Sequence, residues 1–445
     1  MADISPFRAL RYNSSKVSPG DVMTQPYDKI TPAMQDKYYQ SSPHNLVQVI
    51  LGKQQSGDNE QQNVYTRAAS LLQKWQDEGV LQPDAEPSLY VYSQIFKVPG
   101  DPSGSEAERR GFIALGRVED YDRKVVYRHE QTLSKPKADR LDLLQATRAH
   151  CELIFMVYSD PTDEVGKLLY QTGPPTVEMR DEYDVLHRMW KVSDPATVAA
   201  VKARMADKKL IIADGHHRYE TALNYRNQTR EQANSSDPEA PYERVMMSFV
   251  NMDTPGLVIL PTHRVVFGLE GFNLYTKAMH VMKYFDIEDL GSVKDVPHVV
   301  QRLREAGNER TALLAVTASN AFLLKAKRDV QSPSLKDLSG QQRSLDVVQL
   351  HKLILEEIIG MSEDDIRAQK HLRYIRDAAE AIEEVRKGDA QVAFLMNPVR
   401  MEQVRDVAFA GEVLPQKSTD FYPKMLSGLT IYSLDGAAQG TAGGK

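Results

Sequence analysis

Apolar positions switch between helical and strand-like spacing along the whole chain. Val64, Ala68, Leu71, Leu72 and Trp75 recur at helical spacing and predict a helix over residues 64–75. Alternation over 89–98, a Pro-, Gly- and Ser-rich stretch over 99–110 and an apolar run over 111–118 predict a strand, an exposed connection and a returning strand. The apolar run 153–158, closed by Asp160-Pro161, predicts a buried strand. A helix over 195–205, a short strand over 209–213, a helix over 216–230 and strands over 244–251 and 256–267 follow. Beyond Gly268 the predicted helices become longer, at 272–284, 296–305, 345–359 and 377–387, with strands at 313–316, 321–324 and 392–396 between them. This alternation predicts an α/β (mixed α+β) fold. It divides into an α/β domain over residues 1–268, a more helical α/β domain over 269–433 and a Gly- and Ala-rich flexible tail over 434–445.

Composition narrows the function classes. Hydrophobic residues make up 41% of the 445 positions and charged residues 26%, as in an ordinary globular protein. The 55 basic and 61 acidic residues leave a formal charge of −6, with no Lys/Arg block, so nucleic acid is not an expected partner. A lone cysteine, Cys151, excludes an internal disulfide and a cysteine-rich zinc site, and its place beside an apolar run predicts a packed, inert thiol. The N-terminus shows no signal-peptide pattern and no run of eighteen apolar residues exists, so a cytoplasmic protein without a membrane partner is expected.

Candidate chemistry concentrates in Ile-Ile-Ala-Asp-Gly-His-His-Arg-Tyr-Glu at 211–220. The pattern reads as strand, tight turn and helix, with Gly215 free to take a positive φ. A turn feeding a helix aims unpaired N–H groups and the positive end of the helix dipole at one spot, which is an anion site. His216, His217 and Arg218 add donors and positive charge suited to phosphate. Asp214 is placed to hold a metal ion or a hydroxyl, and equally to cap the helix. His216 and His217 are adjacent, so on a helix they cannot share one metal; His216 and Glu220 have the right spacing but are only two groups.

The Asp-Gly-His-His-Arg run resembles the Gly-x-His-Arg signature of the ParB/sulfiredoxin superfamily. Further segments are similar to one of its families, DUF1015. They are Gln25-Pro26-Tyr27-Asp28-Lys29-Ile30, His129-Glu130 with Asp139-Arg140-Leu141, residues 213–219, Pro261-Thr262-His263-Arg264, and Pro415-Gln416-Lys417-Ser418-Thr419 with Phe421-Tyr422-Pro423-Lys424. The resemblance spans Pro6 to about Tyr432. It implies a small α/β core with large insertions, in which this turn and helix start hold phosphate. Relatives in the superfamily include CTP-binding ParB proteins, sulfiredoxin and free-serine kinases. By analogy with those kinases, Asp28 is the expected base toward a serine hydroxyl, with Glu130 as the alternative. The cysteine that sulfiredoxin chemistry needs is replaced here by Asp214-Gly215.

The remaining clusters fit the same chemistry, although a solvated charged loop would also explain the set around Arg128-His129-Glu130. His263 and Arg264 repeat the His-Arg pairing, and Lys417 offers a cation beside two hydroxyls, with an acid at Asp420 where the family has an aromatic residue. The expectation is a small-molecule phosphotransferase, most concretely a free L-serine kinase using a nucleotide (ADP or ATP) and Mg²⁺. Its catalytic groups are Asp28, Glu130, Asp214 and His217, its phosphate-binding groups Gly215, His216, Arg218, His129, His263, Arg264 and Lys417, and its metal ligand Asp214. A nucleotide-binding switch without small-molecule turnover and a phosphoester hydrolase are the alternatives. A further expectation is that His129-Glu130, residues 214–218 and His263-Arg264 share one crevice.

Overall fold

The computed structural model describes residues 2–101, 103–130, 134–170, 173–328 and 330–435, with the backbone alone at 134–137. Most of the tail expected over 434–445 therefore lies outside the described residues. The chain packs into two units. The first comprises residues up to 128, 132–258 and 423 onward; the second comprises 129–131 and 259–422. The expected division after residue 268 thus differs in two ways: the change of unit falls ten positions earlier, and the chain returns to its first unit at Pro423.

The fold is mixed α/β, as the alternation predicts. The first unit is built on a nine-stranded sheet. Its strands are β1 (Ile4–Ser5), β2 (Leu89–Lys97), β3 (Glu106–Arg117), β4 (Val126–Tyr127), β5 (Ile154–Tyr158), β6 (Val177–Arg180), β7 (Leu186–Val192), β8 (Leu210–Asp214) and β9 (Arg244–Asn251). They lie in the order β4-β8-β5-β9-β3-β2-β7-β6, with β1 also paired to β3. Only β4–β8 and β5–β9 are parallel. Strands β5 and β9 are buried along their whole length, which explains why they read as unbroken apolar runs. The helix Pro195–Met205 buries Val198, Val201 and Met205, and the helix His216–Ala233 buries Tyr219 and Ala222; all five join the sheet's core with Ile154, Met156, Ile212 and Phe249. Cys151 is buried, and burial pushes its thiol up to about 12, the inert state expected.

The C-terminal return is stitched to the start of the chain. Ser427 bridges Thr24 and Ile431 bridges Leu10, while Tyr432–Ser433 pairs with Ala149–His150.

The second unit has a six-stranded sheet of β10 (His263–Val266), β11 (Phe285–Gly291), β12 (Ala312–Val316), β13 (Ala321–Ala326), β14 (Leu372–Ile375) and β15 (Val392–Met396), ordered β11-β13-β12-β15-β10-β14. Every pair in it is antiparallel. The single strand expected over 256–267 is split into Val258–Leu260 and β10, because Pro261 between them has no N–H for a ladder bond. The helix expected over 272–284 is a 3₁₀ turn, Leu274–Lys277, followed by Ala278–Tyr284. The one expected over 345–359 is a single α-turn, Asp346–Gln349, that continues in π-helical geometry over Leu350–Ile359. Burial pushes the Asp346 carboxyl at the head of this segment up to about 7, against the partial offset of a 3.4 Å hydrogen bond from Asn397.

Candidate functional site

The first unit assembles a charged cluster at the end of β8. The register of β8 against β5 slips between Ile212 and Asp214, a bulge that re-aims the last side chain of the strand. Gly215 follows with φ +91°, a left-handed value, and is the residue flanking the helix His216–Ala233. Gly215 itself occupies the N-cap position, so Asp214 does not cap the helix. Its carboxylate is held instead by two cations: one oxygen accepts from Arg218 Nη2 at 2.6 Å, the other from Lys424 Nζ at 2.9 Å. Burial alone would raise the Asp214 pKa, but Lys424, Arg218 and Lys29 outweigh it and hold the carboxyl well below the ordinary carboxylate range.

The neighbours of this turn follow from sheet topology. Because β5 runs antiparallel to β8, the residues just before β5 lie beside the end of β8. Arg218 Nη1 accordingly donates to the Leu153 carbonyl, and Glu152 lies within electrostatic reach of Arg218. Burial raises the Glu152 pKa in spite of Arg218 and Arg140. Arg140 Nη1 is 3.7 Å from Glu152 Oε2, and the guanidinium lies 4.1 Å over the Tyr27 ring, whose backbone N–H donates to Glu152 Oε1 at 3.0 Å. The Gln-Pro-Tyr-Asp segment is thereby fixed to the cluster, with Asp28 exposed in the 3₁₀ turn Tyr27–Lys29 and close enough to act on Arg218. Thr31 caps the next helix by accepting from Met34, with Pro32 at its first position, as its sequence predicts.

Sequence reasoning missed three members of this cluster. Lys424 belongs to the returning C-terminal stretch, which is pinned by Gln94 Nε2 donating to the Lys424 carbonyl at 2.8 Å and by Arg109 donating to the Pro423 carbonyl. Arg109 is fully buried on β3, lies 4.8 Å over the Phe155 ring and feels Asp214; burial pulls its pKa down to about 10. Glu152 is the third. Five cationic side chains, Lys29, Arg109, Arg140, Arg218 and Lys424, thus act on the carboxylates of Asp214 and Glu152 or face Asp28 through Arg218.

The arrangement does not fit a magnesium ion held by Asp214. Both of its oxygens are engaged by cations, and no cluster of three or more His, Cys, Asp or Glu side chains suited to a metal occurs among the described residues. His216 and His217 sit half-buried in the first helical turn. Glu220, the other half of the i, i+4 pair, lies 3.9 Å from Arg128.

Gly215 is the residue whose replacement most directly tests the turn. A Cβ there would stand 3.0 Å from Arg218 Nε, in a backbone conformation that costs non-glycine residues about 1–2 kcal/mol. Gly215→Ala should lower stability by about that amount and displace the guanidinium. Urea unfolding and a phosphate titration read both effects; unchanged stability and phosphate affinity would remove the turn from the site.

The other expected site residues belong to the second unit. His129 is fully buried, with Nε2 2.8 Å from Thr419 Oγ1 and its ring edge-on to Phe421. Glu130 Oε1 accepts from the Lys417 backbone N–H at 2.7 Å. Arg264 is buried on β10, next to the edge strand β14; it donates to His351 Nε2 at 3.1 Å and to the Lys417 carbonyl at 3.1 Å. His263 Nδ1 accepts from the Met396 N–H at 3.2 Å, and burial pulls its pKa down to about 4, so it is neutral. Glu130, Arg264 and Lys417 therefore come together, bound largely to one another's backbone. Asp420 is paired with Arg376 at 2.5 Å, which offsets its charge.

A family model described as "Protein of unknown function (DUF1015)" matches residues 4–348. No curated protein matches the sequence. Among solved structures, a free serine kinase in complex with AMP is 12% identical, with a TM-score of 0.35, over 67% of this chain and 83% of that one. A conserved hypothetical protein from Pyrococcus furiosus is 11% identical, with a TM-score of 0.33, over 67% and 87%. SbnI from Staphylococcus aureus, with a C-terminal truncation, is 9% identical, with a TM-score of 0.34, over 71% and 85%. No helix among the described residues is long and apolar enough to cross a membrane.

Proposed function

The chain belongs to the DUF1015 family, and on that premise we propose that its first unit holds the phosphates of a nucleotide and transfers a phosphoryl group to a small-molecule hydroxyl. One observation carries the reading: Arg218 and Lys424 converge on a single carboxylate at the first turn of a long helix, with Lys29 and Arg109 adding positive charge. A helix leaves its first N–H groups without intrahelical partners, and that end is positive. A phosphate arriving there competes with Asp214 for two cations already in place. Phosphoryl transfer asks a protein mainly for such positioning and charge stabilisation.

In this reading Arg218 and Lys424 hold phosphate oxygens, and Asp214 keeps both cations oriented between turnovers. Asp28, exposed beside the cluster, takes the proton of the acceptor hydroxyl as its oxygen bonds to the terminal phosphorus and the phosphoanhydride P–O bond breaks, its electron pair leaving with AMP when ADP is the donor or with ADP when ATP is. The resemblance of Asp-Gly-His-His-Arg to the ParB/sulfiredoxin signature implies the same use of this turn. Free L-serine is the most concrete acceptor it implies. The protein incubated with L-serine and ADP or ATP should yield phosphoserine, followed by ³¹P NMR. Asp28→Asn should lower kcat about 10²-fold or more while leaving nucleotide affinity unchanged. Equal rates in the two proteins would sink Asp28 as the base. Failure of ADP and ATP to raise the melting temperature, where a ligand at 100 times its Kd adds about 2.7 kcal/mol, would sink nucleotide binding itself.

A further inference from the structure

Where β3 ends, the first unit holds a further charged pocket of about 400 Å³. Four arginines line it, with two carboxylates, Glu119 and Asp120, and two valines. Its size is that of a small-molecule pocket.

Two of the arginines are engaged within the fold. Arg226 is buried and donates to both Asp120 oxygens, at 2.9 and 2.8 Å, and to the Val118 carbonyl. Arg230 donates from Nε and Nη2 to the buried Glu243, which leaves its Nη1 without a hydrogen bond among the described residues. The other two are not engaged. Arg123, exposed on the 3₁₀ turn Tyr121–Arg123, has no side-chain hydrogen bond or ion pair among the described residues. Arg117 is 3.7 Å from Glu119 and 4.0 Å from Asp3, both beyond hydrogen-bond distance. It also stands directly opposite Arg244 on β9, and Arg244 holds Asp3 more closely, at 3.0 Å. Like charges opposed across a ladder repel.

The lining thus sets four cations against two anions, and Glu243 cancels only one more. Guanidinium groups with donors to spare are suited to carboxylate and phosphate oxygens. Two such groups suit a ligand with more than one oxyanion. The pocket has no aromatic wall and both valines are buried, so an apolar body would find little to pack against. We propose that this pocket binds a small hydrophilic polyanion, of the polyphosphate or polycarboxylate class, held by Arg117 and Arg123 with Arg230 Nη1 as a further donor. It is distinct from the anion turn at Asp214, since Asp214, Arg218 and Lys424 are not among its lining residues.

Calorimetric titration of the full chain with pyrophosphate, citrate and uncharged glucose tests the proposal. At least one of the two anions should bind, more weakly as salt is raised, and should lose about tenfold in affinity on Arg123→Gln and on Arg117→Gln. Whichever anion binds more tightly tells a phosphorylated ligand from a polycarboxylate. This binding should survive Gly215→Ala; binding that Gly215→Ala abolishes and Arg123→Gln spares belongs to the Asp214 turn. The proposal is overturned if no binding of either anion is weakened by the two arginine substitutions, or if glucose binds as tightly. Arg123→Gln should also leave the melting temperature unchanged. A marked fall would show that the guanidinium is engaged within the fold, and would overturn the proposal.

Discussion

Asp214→Asn should destabilise the first unit by about 3–5 kcal/mol and at the same time tighten its grip on inorganic phosphate. The loss follows from leaving Arg218 and Lys424 largely buried with their common anion removed; breaking a buried ion pair at one partner costs about that much. The gain follows from removing the anion with which phosphate competes. Phosphate should therefore restore to the variant much of the stability it lost, and urea unfolding at increasing phosphate concentration measures both effects. Weaker phosphate binding in a folded variant would show that Asp214 helps to hold the ligand instead of standing in for it. The pH dependence carries the sign of a depressed carboxyl. Its contribution is present above the ordinary aspartate range and disappears as pH falls through the folded value, which lies below that range. The deficit of the variant should be constant from about pH 5 to 8 and shrink only in stronger acid.

The second large effect has the opposite sign. Asp346 has its folded pKa raised to about 7, so the folded state binds its proton more tightly than the unfolded chain does. Its contribution is fully present below the unfolded value, near 4, and is lost as pH rises through about 7. A carboxyl raised that far above its ordinary range sets an upper bound of about 4 kcal/mol. Partial exposure of the residue reduces this to about 2–3 kcal/mol. Asp346→Asn keeps the shape and the contact with Asn397 without the charge. It should match the wild type near pH 4 and exceed it by about that amount at pH 8. Parallel urea curves at both pH values, with no divergence in the alkaline one, would mean that the carboxylate is solvated or paired when ionised.

What could be read in advance depended on how far apart the cooperating residues lie. Strands β5 and β9 and the helices Pro195–Met205 and His216–Ala233 were legible because burial imposes a period on neighbouring positions. The Asp-Gly-His-His-Arg turn was legible for the same reason: its strand end, positive-φ glycine and helix start are contiguous. The pairing of Lys424 was not, since it stands 210 positions from its carboxylate and nothing local ties the Phe421-Tyr422-Pro423-Lys424 segment to that turn. Arg109 was hidden by composition. Glu106 to Arg110 is charged enough to read as an exposed loop, yet it is the first half of β3, and every second residue there turns inward. The structural alternative for Asp214, a helix cap, is taken by Gly215, which leaves the carboxylate to the two cations. In the second unit, His263 and Arg264 repeat the His-Arg pairing that marked them as candidate ligands; on β10, which is paired on both sides, their polar atoms meet backbone groups and His351.

The return of residues 423–435 to the first unit has a consequence for synthesis. A ribosome makes Asp214 and Arg218 early, but the lysine that completes their triad, and the partners of Leu10 and Thr24, emerge only after the whole second unit. Contacts of such long sequence separation form late and slowly. A chain interrupted between Arg218 and Lys424 therefore carries Asp214 with one hydrogen-bonded cation instead of two and lacks the bridges from Ile431 to Leu10 and from Ser427 to Thr24. Such a fragment should bind phosphate poorly and unfold readily, so an incomplete copy exposes itself to proteolysis before it can act.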